Sequence, residues 1–349
     1  MPIDFPNSPT LNQTYTYSGK TWIWNGTSWQ SQTSTTASSA TNLAGGAAGT
    51  IPYQSASGTT SMLTAGTSGQ ILKSNGSSAP SWENQGIFSA GRLTLESGVP
   101  ISTSDQTSKT TIYYTPYNGN RISIYDGTNW STYTFTQLSL ALGTLTSGLN
   151  YDVFVYNNSG TLTLETAAWT NDTTRATSLT LTNGVYLKTG ASTRRYLGTF
   201  RTTSTTTTED SLSKRYLWNF NNKVLRSLYL YMYSGSHTYN GNAREWNNGT
   251  SITRLQFLTG IDGETFIANG YAAITSGGFP CNAYFGVDST TAQFGSTTTD
   301  DRAAVFTRRS LTTAGQVNAG YHYMTFIQST ESAGTSTFLD IYGGGALFC

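Results

Sequence analysis

The fold class is decided by residues 151–164, which read YDVFVYNNSGTLTL. The runs 151–156 and 161–164 are rich in β-branched and aromatic residues, which is typical of strands. The four residues between these runs, NNSG, are turn formers. The stretch therefore predicts a β-hairpin. The same alternation of short apolar runs and Gly or Asn turns recurs along most of the chain and predicts an all-β protein.

The composition excludes several classes of protein. Charged residues make up 11% of the 349 residues, against about 25% in ordinary soluble domains. The net charge of +1 argues against binding to nucleic acid or to an anionic membrane by broad electrostatic attraction. The chain has two cysteines, too few for a disulfide scaffold. Aromatic residues reach 13% and supply material for a packed interior.

A hairpin pattern occurs twice, a hundred residues apart. Residues 22–29 read WIWNGTSW and residues 122–130 read ISIYDGTNW. Asn-Gly or Asp-Gly between β-forming runs favours a tight turn, because two central residues must adopt positive φ. Each copy therefore predicts an aromatic-faced hairpin, in which Trp22, Trp24 and Trp29 face a core.

Residues 49–86 carry short β segments with one large apolar residue each, separated by Gly-Thr and Asn-Gly turns. A single chain cannot bury such sparse groups, whereas several chains wound together can. We therefore expect a fibre shaft that forms as a homotrimer. The preceding residues 32–48 are rich in Ser, Thr, Ala and Gly, a composition typical of a linker.

The rest of the chain predicts two further regions. Residues 87–223 read as a central β domain, and residues 224–349 as a C-terminal β-sandwich with a jelly-roll-like arrangement. Residues 211–226 are the one stretch where a helix is expected. Residues 202–208 are expected in a loop or at a sheet edge, and Gly343-Gly344-Gly345 in a turn or a tight threefold contact.

Three segments together carry a resemblance to a known family. They are the opening DFPNSPT at 4–10 with the Trp hairpin, the Gly-Thr repeats at 49–82, and the stretch from residue 92 to residue 199. The chain resembles fibre proteins of tailed bacteriophages, notably those of cyanobacteria. Residues 224–349 match nothing in that family.

The resemblance implies a homotrimeric tail fibre that is made in the host cytoplasm and located on the virion. It implies that residues 1–31 attach to another virion protein of the tail, baseplate or neck, with Trp22, Trp24 and Trp29 as candidate docking residues. The C-terminal domain, residues 224–349, would attach to a host-surface polysaccharide or lipopolysaccharide. A head, neck or baseplate fibre without receptor binding is the alternative. The opening residues carry no basic start and no apolar run, so no signal peptide is expected.

Catalytic chemistry finds little support in the residue pattern. The two histidines, His237 and His322, lie outside any metal-binding spacing, and no nucleophile or phosphate-loop motif occurs. We expect no metal, no cofactor and no catalytic residue. A polysaccharide-degrading tailspike would need paired carboxylates. The candidates sit in or beside turns that explain them without catalysis: Asp262, Glu264, Asp288, Asp300 and Asp301.

The best binding feature is the aromatic stretch 233–248. Sugars present apolar C–H faces with a fringe of hydroxyls, which suit aromatic rings edged by amide and charged groups. The alternative is that Tyr239 and Trp246 pack beneath a loop or at a subunit seam. The candidate glycan-binding residues are His237, Tyr239, Asn242, Arg244 and Trp246.

Overall fold

A computed structural model describes residues 3–32, 46–250, 252–275, 280–295, 299–301, 306–330 and 335–349. The described part contains β-strands and one short 3-10 helix, Trp246–Gly249, so the all-β prediction is confirmed. Two compact units divide the chain, Met1–Gln85 and Gly86–Cys349. The linker predicted over 32–48 falls largely on residues 33–45, which lie outside the described residues.

Unit Met1–Gln85 consists of a three-stranded antiparallel sheet, β1-β2-β3, and two hairpins, β4-β5 and β6-β7. Its strands are β1 (Thr14–Tyr17), β2 (Lys20–Trp24), β3 (Trp29–Gln32), β4 (Ile51–Ala56), β5 (Thr59–Leu63), β6 (Gln70–Asn75) and β7 (Ser78–Asn84). The side chains of Ile71 and Leu72 in β6 are 46% and 47% exposed. The hairpin therefore leaves these two apolar side chains largely uncovered.

The first half of unit Gly86–Cys349 forms three sheets by itself and contributes three strands to a fourth. Its strands are β8 (Gly91–Thr94), β9 (Gln106–Lys109), β10 (Thr111–Pro116), β11 (Arg121–Tyr125), β12 (Trp130–Thr134), β13 (Leu138–Ala141), β14 (Asn150–Asn158), β15 (Thr161–Ala168), β16 (Leu179–Thr182), β17 (Val185–Lys188), β18 (Ala191–Arg201), β19 (Thr208–Asp210), β20 (Lys214–Arg215) and β21 (Leu217–Asn219). They build the sheet β13-β10-β8, the hairpin β11-β12, and the six-stranded sheet β15-β14-β18-β17-β16 with β21 beside β18.

The second half supplies all of a five-stranded sheet and five strands of an eight-stranded one, in which the other three come from the first half. Its strands are β22 (Leu225–Tyr233), β23 (His237–Tyr239), β24 (Arg244–Glu245), β25 (Leu255–Thr259), β26 (Glu264–Thr275), β27 (Cys281–Val287), β28 (Thr299–Asp301), β29 (Phe306–Val317), β30 (Gly320–Thr330) and β31 (Ser336–Phe348). An eight-stranded sheet runs β28-β27-β30-β25-β20-β19-β9, with β24 beside β30. A five-stranded sheet runs β22-β31-β26-β29, with β23 beside β31.

Both predicted Trp-containing hairpins form, with Trp24 opposite Trp29 and Tyr125 opposite Trp130. Each turn spans four residues and is held by its first side chain. The Asn25 Oδ1 accepts two backbone N–H groups at 2.9 and 2.8 Å, and the Asp126 Oδ1 accepts two at 2.8 and 2.7 Å. The turn is thus wider than the expected two-residue one, because the side-chain oxygen replaces a backbone acceptor.

The six-stranded sheet is buried on both faces, which explains the continuous apolar run of β14. Val153 and Val155 belong to a cluster with Ile112 and Ile122 on one side of that sheet. Phe154, between them, points to the opposite side and joins a second cluster. A strand covered on both faces is expected to lose the polar alternation of a half-exposed strand.

The second cluster lies between the eight-stranded and five-stranded sheets. Phe257 in β25 stacks on Phe266 in β26, with ring centroids 4.2 Å apart. Tyr196 and Trp218, from residues 87–223, belong to the same cluster, and β20 pairs in parallel with β25. Residues 87–223 and 224–349, which the sequence assigns to separate domains, thus share a sheet and a core.

The helix expected at 211–226 and the turn expected at Gly343-Gly344-Gly345 are wrong, while the threefold contact that was the alternative for these glycines stays a prediction. Residues 211–226 contain β20, β21 and the start of β22 instead of a helix, because Leu217 and Trp218 face opposite cores and require an extended backbone. Gly343-Gly344-Gly345 lies inside β31, between β22 and β26, and not in a turn. A Cβ on Gly343 would overlap the Met232 side chain, so a larger residue there requires Met232 to move.

Candidate ligand-binding surface

The predicted glycan-binding residue Trp246 is fully buried. Its ring centroid lies 5.0 Å from that of Phe338 and 6.3 Å from that of Phe326. Its Nε1 donates a hydrogen bond to the carbonyl of Leu339 at 3.1 Å. The indole is therefore part of the core, which favours the alternative of packing over that of a sugar platform.

His237 also faces inward, half-buried beside Trp246. Its ring stacks on Phe338 at 5.6 Å, and its Nε2 lies 2.7 Å from the Gln328 Oε1. Burial lowers the pKa of His237, the bond to Gln328 opposes this, and the charge of Arg244 lowers the pKa further. Because an amide oxygen accepts, Nε2 carries the proton, and the neutral ring is held by the core.

Tyr239, Asn242 and Arg244 are brought together at the surface. The Arg244 guanidinium lies 3.6 Å from the Tyr239 ring centroid, and the Tyr239 hydroxyl donates to the Asn242 carbonyl at 2.6 Å. The guanidinium covers one face of the ring, which leaves less of the ring for a sugar. The structure thus brings three of the five candidate residues together and places the other two in the interior.

The candidate docking residues Trp22, Trp24 and Trp29 are half-buried in unit Met1–Gln85. Phe5 packs among them, with centroids 5.5 Å from Trp22 and 5.2 Å from Trp29. Trp24 lies 5.7 Å from Trp29. These rings form a small aromatic core, and their remaining exposed edges are what a partner could contact.

A second aromatic group lies on the outer face of the five-stranded sheet. We call Tyr229, Tyr231, Tyr271 and Tyr342 the tyrosine surface. In β22, Leu228 and Met232 point inward to the core, while Tyr229 and Tyr231 are 55% and 37% exposed. This is the period-two alternation of a half-covered strand.

Cross-strand register assembles the tyrosine surface from three strands. Tyr342 in β31 stands opposite both Tyr231 in β22 and Tyr271 in β26, with ring centroids 4.2 and 4.7 Å away. Tyr229 stacks on Tyr342 at 6.3 Å and 27°. Since Gly344 is the residue opposite Tyr229, no side chain separates these two rings.

Charged groups lie at the edge of the tyrosine surface. The Arg308 guanidinium carbon is 5.6 Å from the Tyr271 ring centroid, and the Asp340 carboxylate accepts the Gly235 N–H at 3.2 Å. Burial, and then the hydrogen bond and charge of Tyr342, raise the pKa of Tyr271. The phenol therefore keeps its proton as a hydrogen-bond donor at neutral pH.

The tyrosine surface has the chemistry of a carbohydrate platform. Tyr rings offer apolar faces to sugar C–H groups, and each hydroxyl can donate and accept at the ring edge. Exposed aromatic clusters on soluble proteins commonly mark interaction sites. The sequence does not reveal this surface, because nothing local to its tyrosines specifies that their three strands pair with one another.

Two negative findings apply to the described part of the chain. No group of three or more His, Cys, Asp and Glu side chains there is placed to hold a metal ion. No helix among those residues is long and apolar enough to cross a membrane.

No protein-family model matches this chain, and no curated protein matches it in sequence. Solved structures that share some likeness include dimeric latent PorU from Porphyromonas gingivalis, at 10% identity and TM-score 0.25 over 59% of this chain and 24% of that one. A structure of the infectious bursal disease virus Gx strain is 11% identical, with a TM-score of 0.24 over 71% of this chain and 73% of that one. A glycoside hydrolase family 43 arabinoxylan arabinofuranohydrolase from Bacillus subtilis is 12% identical, with a TM-score of 0.20 over 77% of this chain and 56% of that one. The chain thus spans about a quarter of PorU, and TM-scores this low carry no argument about fold or function.

Proposed function

We propose that this chain is a structural virion protein of a tailed bacteriophage, a homotrimeric tail fibre that attaches to host cell-surface glycan. The observation that carries the attachment role is the tyrosine surface. Tyr229 and Tyr231 are exposed and Tyr271 and Tyr342 are half-exposed on one face of the sheet. Their rings contact one another and together offer a saccharide an aromatic surface. Weak single sites of this kind gain strength when several copies act together.

The resemblance of residues 4–29 and 49–82 to phage fibre segments supports the fibre architecture. The exposed Ile71 and Leu72 of β6 support the trimer, because apolar side chains left in water by one copy can be buried by another. Analytical ultracentrifugation tests the assembly. Three copies are expected, and a monomer at micromolar concentration would overturn this part of the proposal.

Glycan attachment is tested with the double variant Tyr229→Ala, Tyr342→Ala and with host-surface polysaccharide and lipopolysaccharide. Each aromatic contact contributes about 1 kcal/mol, so affinity is expected to fall about tenfold or more. Tyr117→Ala is the matched control, because Tyr117 is also exposed but lies outside the tyrosine surface. Equal binding by the double variant and the control would contradict the proposal.

The same double variant separates receptor binding from a subunit seam. If the tyrosines form a contact between subunits, the variant is expected to dissociate. If they bind glycan, the variant is expected to keep the mass of the assembled protein and to lose only its affinity for glycan. Polysaccharide incubated with the protein is expected to keep its chain length, since we propose binding and not depolymerisation. Imaging the labelled protein on the particle distinguishes a tail fibre from a head, neck or baseplate fibre.

A further inference from the structure

A groove on unit Gly86–Cys349 is formed by two adjoining concavities of about 430 and 380 Å³. Loop residues at the ends of several strands line it, and the two concavities share Thr173, Asp262 and Ala319. Asp262 therefore stands where one concavity meets the other. The combined space accommodates a ligand of two linked units.

The carboxylates in this groove are held in place by neighbouring backbone. The Asp262 Oδ1 accepts the Ala319 N–H at 2.7 Å. The Asp288 Oδ1 accepts the Tyr323 N–H at 3.0 Å, and its Oδ2 lies 2.6 Å from the His322 Nδ1. Such fixed acceptors lower the ordering cost of binding a ligand that donates hydrogen bonds.

The imidazole and the guanidinium that line the groove are already bonded to groups of the protein. The His322 Nδ1 contacts Asp288, and its Nε2 lies 2.8 Å from the Asn318 carbonyl. The Arg175 Nε donates to the Asp152 Oδ2 at 2.7 Å, and its guanidinium lies 4.3 Å from the Trp169 ring centroid. Asp262 has no ion-pair partner within 4.0 Å among the described residues. The groove is thus net acidic and disfavours anionic ligands.

A hydroxyl, an imidazole and a carboxylate also line up at one end of the groove. The Thr259 Oγ1 lies 3.1 Å from the His322 Nε2, which resembles a nucleophile with its base. Thr259 is, however, fully buried, and its hydroxyl donates to the Asn318 carbonyl at 2.5 Å. This hydroxyl cannot reach a ligand in the groove, so the group positions Asp288 and does not attack.

Apolar side chains complete the lining of both concavities. Phe294 and Val287 line the first, and Tyr186 and Leu179 line the second. A pocket with apolar walls and a few fixed carboxylate and amide groups suits a sugar ring, which has C–H faces and donating hydroxyls. We propose that this groove binds two consecutive residues of a neutral or amino-bearing saccharide chain, with Asp262 accepting hydroxyl hydrogen bonds from both.

The groove is separate from the tyrosine surface, so the two sites can fail independently. The test is a glycan array with neutral, amino and uronic-acid saccharides, probed with the full chain. Neutral or amino saccharides are expected to bind in preference to uronic-acid ones. Asp262→Asn, which preserves side-chain volume, is expected to weaken that binding at least about tenfold, because hydrogen bonds to a charged acceptor are the stronger ones.

The double variant Tyr229→Ala, Tyr342→Ala serves as the control. It removes rings of the tyrosine surface only, so saccharide binding that depends on Asp262 is expected to remain. Gln316→Ala, on the wall of the first concavity, is a second variant in case Asp262→Asn does not fold, and thermal unfolding reports whether each variant does. The proposal is overturned by the absence of neutral and amino saccharide binding, by a preference for uronic-acid saccharides, or by wild-type binding in folded groove variants.

Discussion

Replacing Trp246 with alanine distinguishes a core residue from a sugar platform. The side chain is fully buried and contacts the rings of Phe338 and Phe326. Truncation of a buried Trp to Ala costs about 3–5 kcal/mol, from lost burial and from the cavity that remains. The Leu339 carbonyl also loses its donor, which adds about 1 kcal/mol. We expect a loss of about 4–6 kcal/mol in the free energy of unfolding.

Urea unfolding followed by circular dichroism measures this loss as a fall in the midpoint with an unchanged slope. Trp246→Phe keeps an aromatic ring and loses the Nε1 donor, so we expect a smaller loss of about 1–2 kcal/mol. Host-glycan binding by the folded fraction of either variant is expected to match the wild type. Trp246→Ala with stability within about 1 kcal/mol of wild type and with abolished glycan binding would refute this reasoning.

Two further predictions concern buried groups. Burial raises the pKa of Glu245, but the hydrogen bonds from Arg254 and Thr325 and the charge of Arg254 together outweigh this and hold that pKa below its ordinary value of 4.5. The carboxylate therefore stabilises the fold fully at pH values above 4.5, and this stabilisation is lost as the pH falls through the lowered pKa. Thermal unfolding at a series of pH values is expected to show a smaller decrease in stability on acidification for Glu245→Gln than for wild type. Burial raises the pKa of Cys349 to about 11, and Cys281 is equally buried. Neither thiol is expected to react with Ellman's reagent before urea unfolds the protein, and immediate reaction would contradict their placement.

The hairpin at residues 151–164 could be predicted from sequence because its determinants are local. The Asn157 Oδ1 accepts the Gly160 N–H at 2.8 Å, and Ser159 and Gly160 adopt φ of 50° and 97°. Turn residues of this kind fix the register of the two strands that they join. The flanking strands, β14 and β15, then pair residue by residue along their length.

The tyrosine surface could not be predicted in the same way. It depends on the pairing of Tyr231 with Tyr342, which lie more than a hundred residues apart. Nothing in either segment specifies the other as its partner, since each carries the same kinds of β-forming residues as many other strands of the chain. Long-range strand order is set by the packing of the whole core and not by local propensity.

The placement of Trp246 escaped prediction for a different reason. A Trp among Tyr, Asn and Arg has the composition of a sugar site, yet burial depends on which way the short 3-10 helix turns its first side chain. The expected helix at 211–226 failed similarly, because Leu217 and Trp218 pack into two different cores. Tertiary contacts override local preference at both sites.

Strand β31 lies between β22 and β26 in space but follows both of them in sequence. During translation, β22 and β26 therefore leave the ribosome more than sixty residues before the strand that joins them. Until residues 336–348 are synthesised, both nascent strands keep unpaired backbone groups along an open edge, which other chains can bind. We expect this sheet to be the last part of the unit to mature and the part that gains most from chaperone protection.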